Sequence, residues 1–215
     1  LIGGMSWYSS ETYYNRINTQ VVRRTGGTCN APLIIESLNF CDIRRASSDA
    51  DWDNVASVLI ASAKRLEKAG ATAILICANS MHKVHDRVAE AVKVPVIHIA
   101  DAVGEKMKAA NIQSAALLGT GNVMAENWYR QRLVKHGVTL LPAEMDDVKE
   151  LDRIIYDELM IGKISRNSER LLKTLITEID QEGIKAVVLG CTELDMIVDT
   201  KANVLPIYDS TEIHA

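Results

Sequence analysis

The sequence contains no apolar run near the roughly 20 residues that a bilayer-spanning helix requires. Its longest, such as Ala73 to Ala78 and Ala186 to Leu189, have the length of buried strands. No basic stretch followed by an apolar one opens it, so neither a leader nor membrane insertion is expected. Positive charge is in deficit: 24 Lys and Arg stand against 28 Asp and Glu, a net charge of −4. Without a basic stripe no nucleic-acid partner is expected, and a small polar ligand fits better. Cysteine is sparse, and Cys29, Cys41, Cys77 and Cys191 show neither C-x-x-C pairing nor a dense framework. That usage implies a reducing compartment, the cytoplasm. Only 4 prolines and 12 glycines occur, beside 47% hydrophobic and 24% charged residues, which argues against a fibrous or disordered chain. At about 150 residues per domain, the length allows one large domain or two small ones.

What is present is a weak internal repeat. Leu1-Ile2-Gly3-Gly4 matches Leu117-Leu118-Gly119-Thr120, and Tyr13-Tyr14-Asn15-Arg16 matches Tyr129-Arg130-Gln131-Arg132. Gly70 then matches Gly183, Ile74 to Asn79 matches Val187 to Thr192, and Pro95-Val96-Ile97-His98 matches Pro206-Ile207-Tyr208-Asp209. The matches keep their order, and their offsets shrink by only a few residues, as loop deletions between duplicated halves would leave them. In each half a helical stripe, Trp52, Val55, Leu59, Ala63 and Leu66 or Leu171, Leu172, Leu175, Ile176 and Ile179, ends at a glycine before an apolar strand. Strands are expected at 33–35, 73–77, 94–97, 115–118, 138–141, 186–189 and 204–207. Alternating with helices, they imply an α/β fold of two pseudo-symmetric lobes, each a short parallel sheet flanked by helices. The opening Leu1 to Gly4 reads as the tail of a strand and Glu212 to His214 as the first turn of a helix, so both termini are expected to be cropped.

Ligands of parallel sheets bind beyond the carboxyl ends of the strands. That rule selects Gly3 to Ser6, Ala78 to Met81, Gly119 to Asn122 and Gly190 to Glu193, which would line one cleft between the lobes. Gly3-Gly4-Met5-Ser6 resembles half a dinucleotide loop, but the third glycine of G-x-G-x-x-G is missing and no P-loop lysine follows. A tight strand-to-helix turn is the plainer reading. His82 and His85, at i and i+3, have no acidic cluster or second cysteine beside them and read as surface or capping histidines, and His98 and His136 make no better a metal site. Cys77-Ala78-Asn79-Ser80-Met81-His82 and Gly190-Cys191-Thr192-Glu193 are the most informative pair. Each ends an apolar strand of a repeated half and continues into small polar residues able to hold a carboxylate or ammonium.

These two motifs, with the opening Gly-Gly-Met, the Leu-Gly-Thr of the second half and the closing Pro-Ile-Tyr-Asp, resemble the aspartate/glutamate racemase family over essentially the whole chain. The resemblance is to the branch of L-aspartate/L-glutamate-specific and broad-specificity amino-acid racemases. It implies a cytoplasmic, dimeric isomerase without pyridoxal phosphate or metal, in which one acid/base from each lobe moves the α-proton of an amino acid. It also implies that the chain's end returns to the first lobe, giving lobes of 1–101 with 205–215 and of 102–204. Cys191 is then the acid/base of the second lobe, bordered by Thr192 and Glu193. Asn79 and Ser80 would hold the α-carboxylate and amino group, with Met5, Ser47 and Met81 lining the site. The polar segment from Asp42 to Asp49 would cover the far end of the ligand, with Arg44 facing a distal carboxylate.

Two departures matter. The family places Cys or Thr immediately before that asparagine, and here the residue is Ala78, whose methyl group carries no proton. Cys77 is adjacent but should point to the opposite face of its strand. Racemisation at a normal rate is therefore not expected, whether Ala78 is an engineered replacement or a natural one-thiol variant. Met160 also stands where aspartate-specific relatives often carry lysine, leaving aspartate, glutamate or a broader set open. The competing functions are a one-thiol malonate decarboxylase, which shares the superfamily architecture, and an amino-acid-binding protein without turnover.

Overall fold

The computed structural model describes residues 1–27, 29–44, 46–142 and 145–215, apart from the side chain of Met145. Its elements follow the periodicity of the sequence. Helix α1 (Trp7–Thr25) follows strand β1 (Ile2–Gly3), and β2 (Glu36–Ser37) precedes α2 (Asp49–Lys68). Helix α2 starts at a reciprocal cap, because Ser48 Oγ accepts from Asp51 N at 3.2 Å while Asp51 Oδ2 accepts from Ser48 N at 2.9 Å. It buries the expected stripe of Trp52, Val55, Leu59, Ala63 and Leu66 and stops before Gly70, whose φ of +94° disfavours any residue with a side chain. Strand β3 (Ile74–Leu75), helix α3 (His85–Glu90) and strand β4 (Val96–Ile97) follow.

The second half runs α4 (Ile99–Ala109), β5 (Ser114–Gly119), α5 (Gly121–Ala125), α6 (Asn127–Lys135), β6 (Thr139–Leu140), α7 (Met145–Asp157), α8 (Arg166–Gln181), β7 (Val187–Gly190), β8 (Ile207–Asp209) and α9 (Ser210–His214). Two units result, Leu1–His98 with Ala215 and Ile99–His214. No helix among the described residues is long and apolar enough to cross a membrane.

The register of the strands carries the repeat into three dimensions. In the second unit all pairs are parallel and the order is β6-β5-β7-β8, with Leu118 opposite Leu189 and Val187 opposite Ile207. In the first, β1 pairs β2 and β3 pairs β4, again in parallel, and a bridge between Ile2 and Ile76 joins the two pairs. Ile2 and Ile76 are the repeat equivalents of Leu118 and Leu189, and the Ile74–Val96 pair is the equivalent of Val187–Ile207. One topology is thus used twice.

Three expectations need correction. The strand foreseen at 33–35 forms later, at Glu36–Ser37, and that foreseen at 204–207 forms at Ile207–Asp209. Apolar character alone marked those strands, whereas the ladder is set by their partners, Ile2 for Glu36 and Val187 for Ile207. The boundaries of the lobes also differ. Residues 205–214, expected with the first lobe, belong to the second unit because β8 pairs with β7, and Ala215 alone groups with the first. Residues 99–101, expected in the first lobe, begin α4 of the second.

Cys77 faces inward as the two-residue period of a strand requires. It packs with Leu1 and Tyr13, whereas Ala78 packs with Ile2, Met5 and Met81 in a different apolar cluster. Burial pushes the Cys77 thiol up from 9.0 to about 12. Folding therefore retains a proton that the unfolded chain releases near pH 9. The stabilisation from this neutral thiol is complete below pH 9 and is lost as pH climbs through about 12. In urea unfolding across that window, Cys77→Ala is expected to lose stability less steeply than the unaltered chain, by up to about 1.4 kcal/mol per pH unit.

Candidate active site

In the first unit the site residues gather where β1 and the β3 segment end. Gly4 has φ of +86°, and a Cβ there would run into the backbone of Leu38, so the turn needs glycine. Ser10 Oγ accepts from Gly4 N at 2.6 Å and donates to Ser6 O at 3.2 Å, which ties this turn to the first turns of α1. Met5, Ala78 and Met81 then meet in one buried cluster, and Asn79 is buried beside them in sequence, with Ser80 half-buried. Ser80 opens a short 3-10 turn, Ser80–Val84, whose first closure is the donation from His82 N to Asn79 O at 3.0 Å.

Two of the expected residues stand apart from that cluster. Ser47 is exposed and donates through N and Oγ to Asp51 Oδ2 at 3.0 and 3.4 Å, so it serves the cap of α2. Arg44 is exposed. Arg45, within the proposed covering segment, lies outside the described residues.

The histidines correct a further expectation. His82 and His85 are not on the surface: they are 2% and 7% exposed, and His98 is 4% exposed. Their rings lie within 4.6 to 6.1 Å of one another, centroid to centroid. A spacing of three on a short helical segment tells nothing of burial when the strand that covers it, β4, comes later in the chain.

In the second unit β5 and β7 end side by side, with Gly119 opposite Gly190. A Cβ on Gly119 would sit 2.8 Å from Gly190 O, so close approach of the two strand ends depends on glycine. Beyond them lie Thr120 and Cys191, 4% and 6% exposed. Cys191 is extended (φ −151°, ψ 131°) at the head of a 3-10 turn, Thr192–Met196. This turn brings the side chain two residues on back to the thiol, and Cys191 Sγ donates to Glu193 Oε2 at 3.1 Å. Glu193 is itself only 2% exposed. Burial, and then the negative charge of Glu193, hold the Cys191 thiol well above its ordinary range, so it is protonated at neutral pH.

Thr192 and Thr211 share a hydrogen bond of 3.0 Å, and Asp209 Oδ1 accepts from Thr211 N and Glu212 N at 2.9 and 3.2 Å. Cys191, Thr192 and Glu193 are thus brought together as expected from their adjacency, while Thr211 was missed. Applying the strand-end rule to the fourth strand of the repeat, β8, would have found it.

The chemistry available here is a buried neutral thiol with a carboxylate acceptor. A separate pocket of about 170 Å³ in the second unit, bordered by Leu141, Leu175 and Ile179, contains none of the predicted residues.

Residues 2–215 match the model of a family described as Asp/Glu/hydantoin racemases. The chain is 37% identical to a Yersinia pestis protein of known crystal structure, assigned there as a candidate Asp/Glu racemase, with a TM-score of 0.90 over 99% of this chain and 93% of the other. It is 33% identical to an aspartate racemase homologue of Pyrococcus horikoshii OT3, with a TM-score of 0.83 over the same shares. Among curated proteins, the broad specificity amino-acid racemase RacX of Bacillus subtilis (strain 168) is 24% identical over 166 residues, 77% of this chain and 71% of that one.

Proposed function

This chain belongs to the Asp/Glu/hydantoin racemase family, and on that premise we propose that it exchanges the α-proton of aspartate, glutamate or a related amino acid through Cys191, without pyridoxal phosphate or metal. The observation that supports this most is the buried thiol of Cys191 donating to Glu193 at 3.1 Å. The α-hydrogen of an amino acid is a far weaker acid than a thiol, and each unit of mismatch is worth about 1.4 kcal/mol. A dry site offsets part of that gap by aiming dipoles at the carboxylate on which charge develops and by holding base and carbon in contact. Glu193 accepts the hydrogen bond that orients the thiol; loss of the thiol proton to solvent base leaves the thiolate that takes the α-proton. The family resemblance assigns Thr192 a place beside the reacting carbon, and it assigns Asn79 and Ser80 of the first unit the α-carboxylate and amino group, with Met5 and Met81 as apolar lining.

Inversion needs a second acid on the other face of the substrate. Ala78 cannot supply one, and Cys77 is turned into another cluster with its thiol pushed up to about 12. The proton therefore returns to the face from which it left, and the chain exchanges without inverting. A second reading, decarboxylation of a malonate by one thiol, is favoured by Ala78 alone.

Incubation in D₂O with L-aspartate, L-glutamate and L-homoserine, followed by proton NMR, tests this. The expected result is loss of the α-proton signal of at least one L-amino acid with no D-enantiomer formed. Silence toward all three, or carbon dioxide release from an aryl malonate in their place, would overturn the proposal.

A further inference from the structure

Where β1 and the β3 segment stop pairing, the backbone carbonyls at the turn need donors from elsewhere. Cys77 N still donates to Ile2 O at 2.9 Å, but Ala78 O and Asn79 O have left the ladder. One residue meets both. His82 N donates to Asn79 O at 3.0 Å, and the His82 imidazole, whose Nδ1 must carry the proton because its partner is a carbonyl, donates to Ala78 O at 2.9 Å. We infer that His82 is a positioning residue that sets the Ala78–Ser80 backbone for the amino-acid head group. This rests on the function proposed above.

The peptide plane provides the link. A trans peptide directs its N–H opposite to its C=O. Holding Ala78 O and Asn79 O toward His82 turns the N–H groups of Asn79 and Ser80 away from it, as a pair of donors suited to a carboxylate. The imidazole is itself held in place. It stacks on His85 at 6.1 Å and 13° and tilts against His98 at 4.8 Å. His85 is anchored in turn through Nε2 to Val96 O and Nδ1 to Asp86 Oδ1, both at 2.9 Å. A leucine would fill much of the same space but leave a buried carbonyl short of a donor, whereas an asparagine amide reaches the place of Nδ1 and a glutamine amide does not.

The test compares His82→Leu, His82→Gln and His82→Asn in two measurements. In amide hydrogen exchange read by mass spectrometry, Leu and Gln are expected to speed exchange in the peptide spanning 78–82 by about tenfold, and Asn to leave it within about twofold. In the D₂O reaction, Leu and Gln are expected to raise KM by about tenfold with a smaller change in kcat, again with rescue by Asn. Unchanged amide exchange in Leu and Gln overturns the inference whether or not the protein is active. Faster amide exchange with unchanged KM reduces His82 to a structural role and also overturns it. If His82→Leu does not fold, the Gln and Asn pair decides. An unaltered chain that exchanges no α-proton defeats the proposed function separately, and the amide measurement still decides whether His82 holds the turn.

Discussion

Ala78→Thr or Ala78→Cys is expected to raise the conversion of L- to D-amino acid by about 10²- to 10⁴-fold, the usual worth of a general acid/base group. Ala78 is buried, 6% exposed, in the same apolar cluster as Met5 and Met81, which a hydroxyl or thiol would enter at the end of a strand. It is also the repeat equivalent of Cys191, so the substitution restores the symmetry that the duplicated topology already has. The substitution leaves the proposed head-group residues, Asn79 and Ser80, unaltered, so the variant should change kcat far more than KM. Circular dichroism or chiral chromatography of L-aspartate and L-glutamate reactions measures it. No gain in inversion from either variant, with α-proton exchange intact, would show that position 78 is not the second acid/base.

Cys191→Ser is expected to abolish α-proton exchange, with a loss of about 10²-fold or more, because a serine hydroxyl is a far weaker acid than a thiol. Amino-acid binding, read by calorimetry, should survive. The pH profile gives a sharper test. Burial and Glu193 keep the Cys191 thiol protonated well above its ordinary range, so the exchange rate of the unaltered chain should rise through pH 7 to 9, close to tenfold per unit. A carboxylate beside a thiol disfavours the thiolate. Glu193→Gln removes that negative charge, and the rising limb should move to lower pH. Exchange by Cys191→Ser at the unaltered rate would remove the sulfur from the mechanism. A limb that stays in place in Glu193→Gln would show that the 3.1 Å contact does not govern ionisation of the thiol.

The repeat was legible because strand-length apolar runs and glycine stops recur in the same order, and the paired registers Ile2–Ile76 and Leu118–Leu189 repeat it in space. The inward turn of Cys77 was legible too, since a strand alternates its faces. The part Ser47 plays in the cap of α2 was also legible, since Ser48 and Asp51 carry the spacing of a helix cap and the neighbour of a cap is drawn into it. Residues 205–214 group with the second unit, and the signal for it is the repeat match of Pro206 to Pro95, which makes β8 the fourth strand of the second sheet.

By itself the sequence determined the α/β class, the duplicated halves, four of the strand ends that carry polar residues, and the presence of a thiol at one repeat position and a methyl group at the other. These follow from periodicity and order, which are local properties of a chain. Tertiary structure alone decided that His82, His85 and His98 are buried together, that Glu193 takes the Cys191 proton bond, and that Thr211 meets Thr192. Such pairings depend on how a turn brings side chains back or on which later strand covers an earlier helix. A hydrogen bond closes only when both partners reach it within about 3 Å, a condition that residue spacing along the chain does not encode.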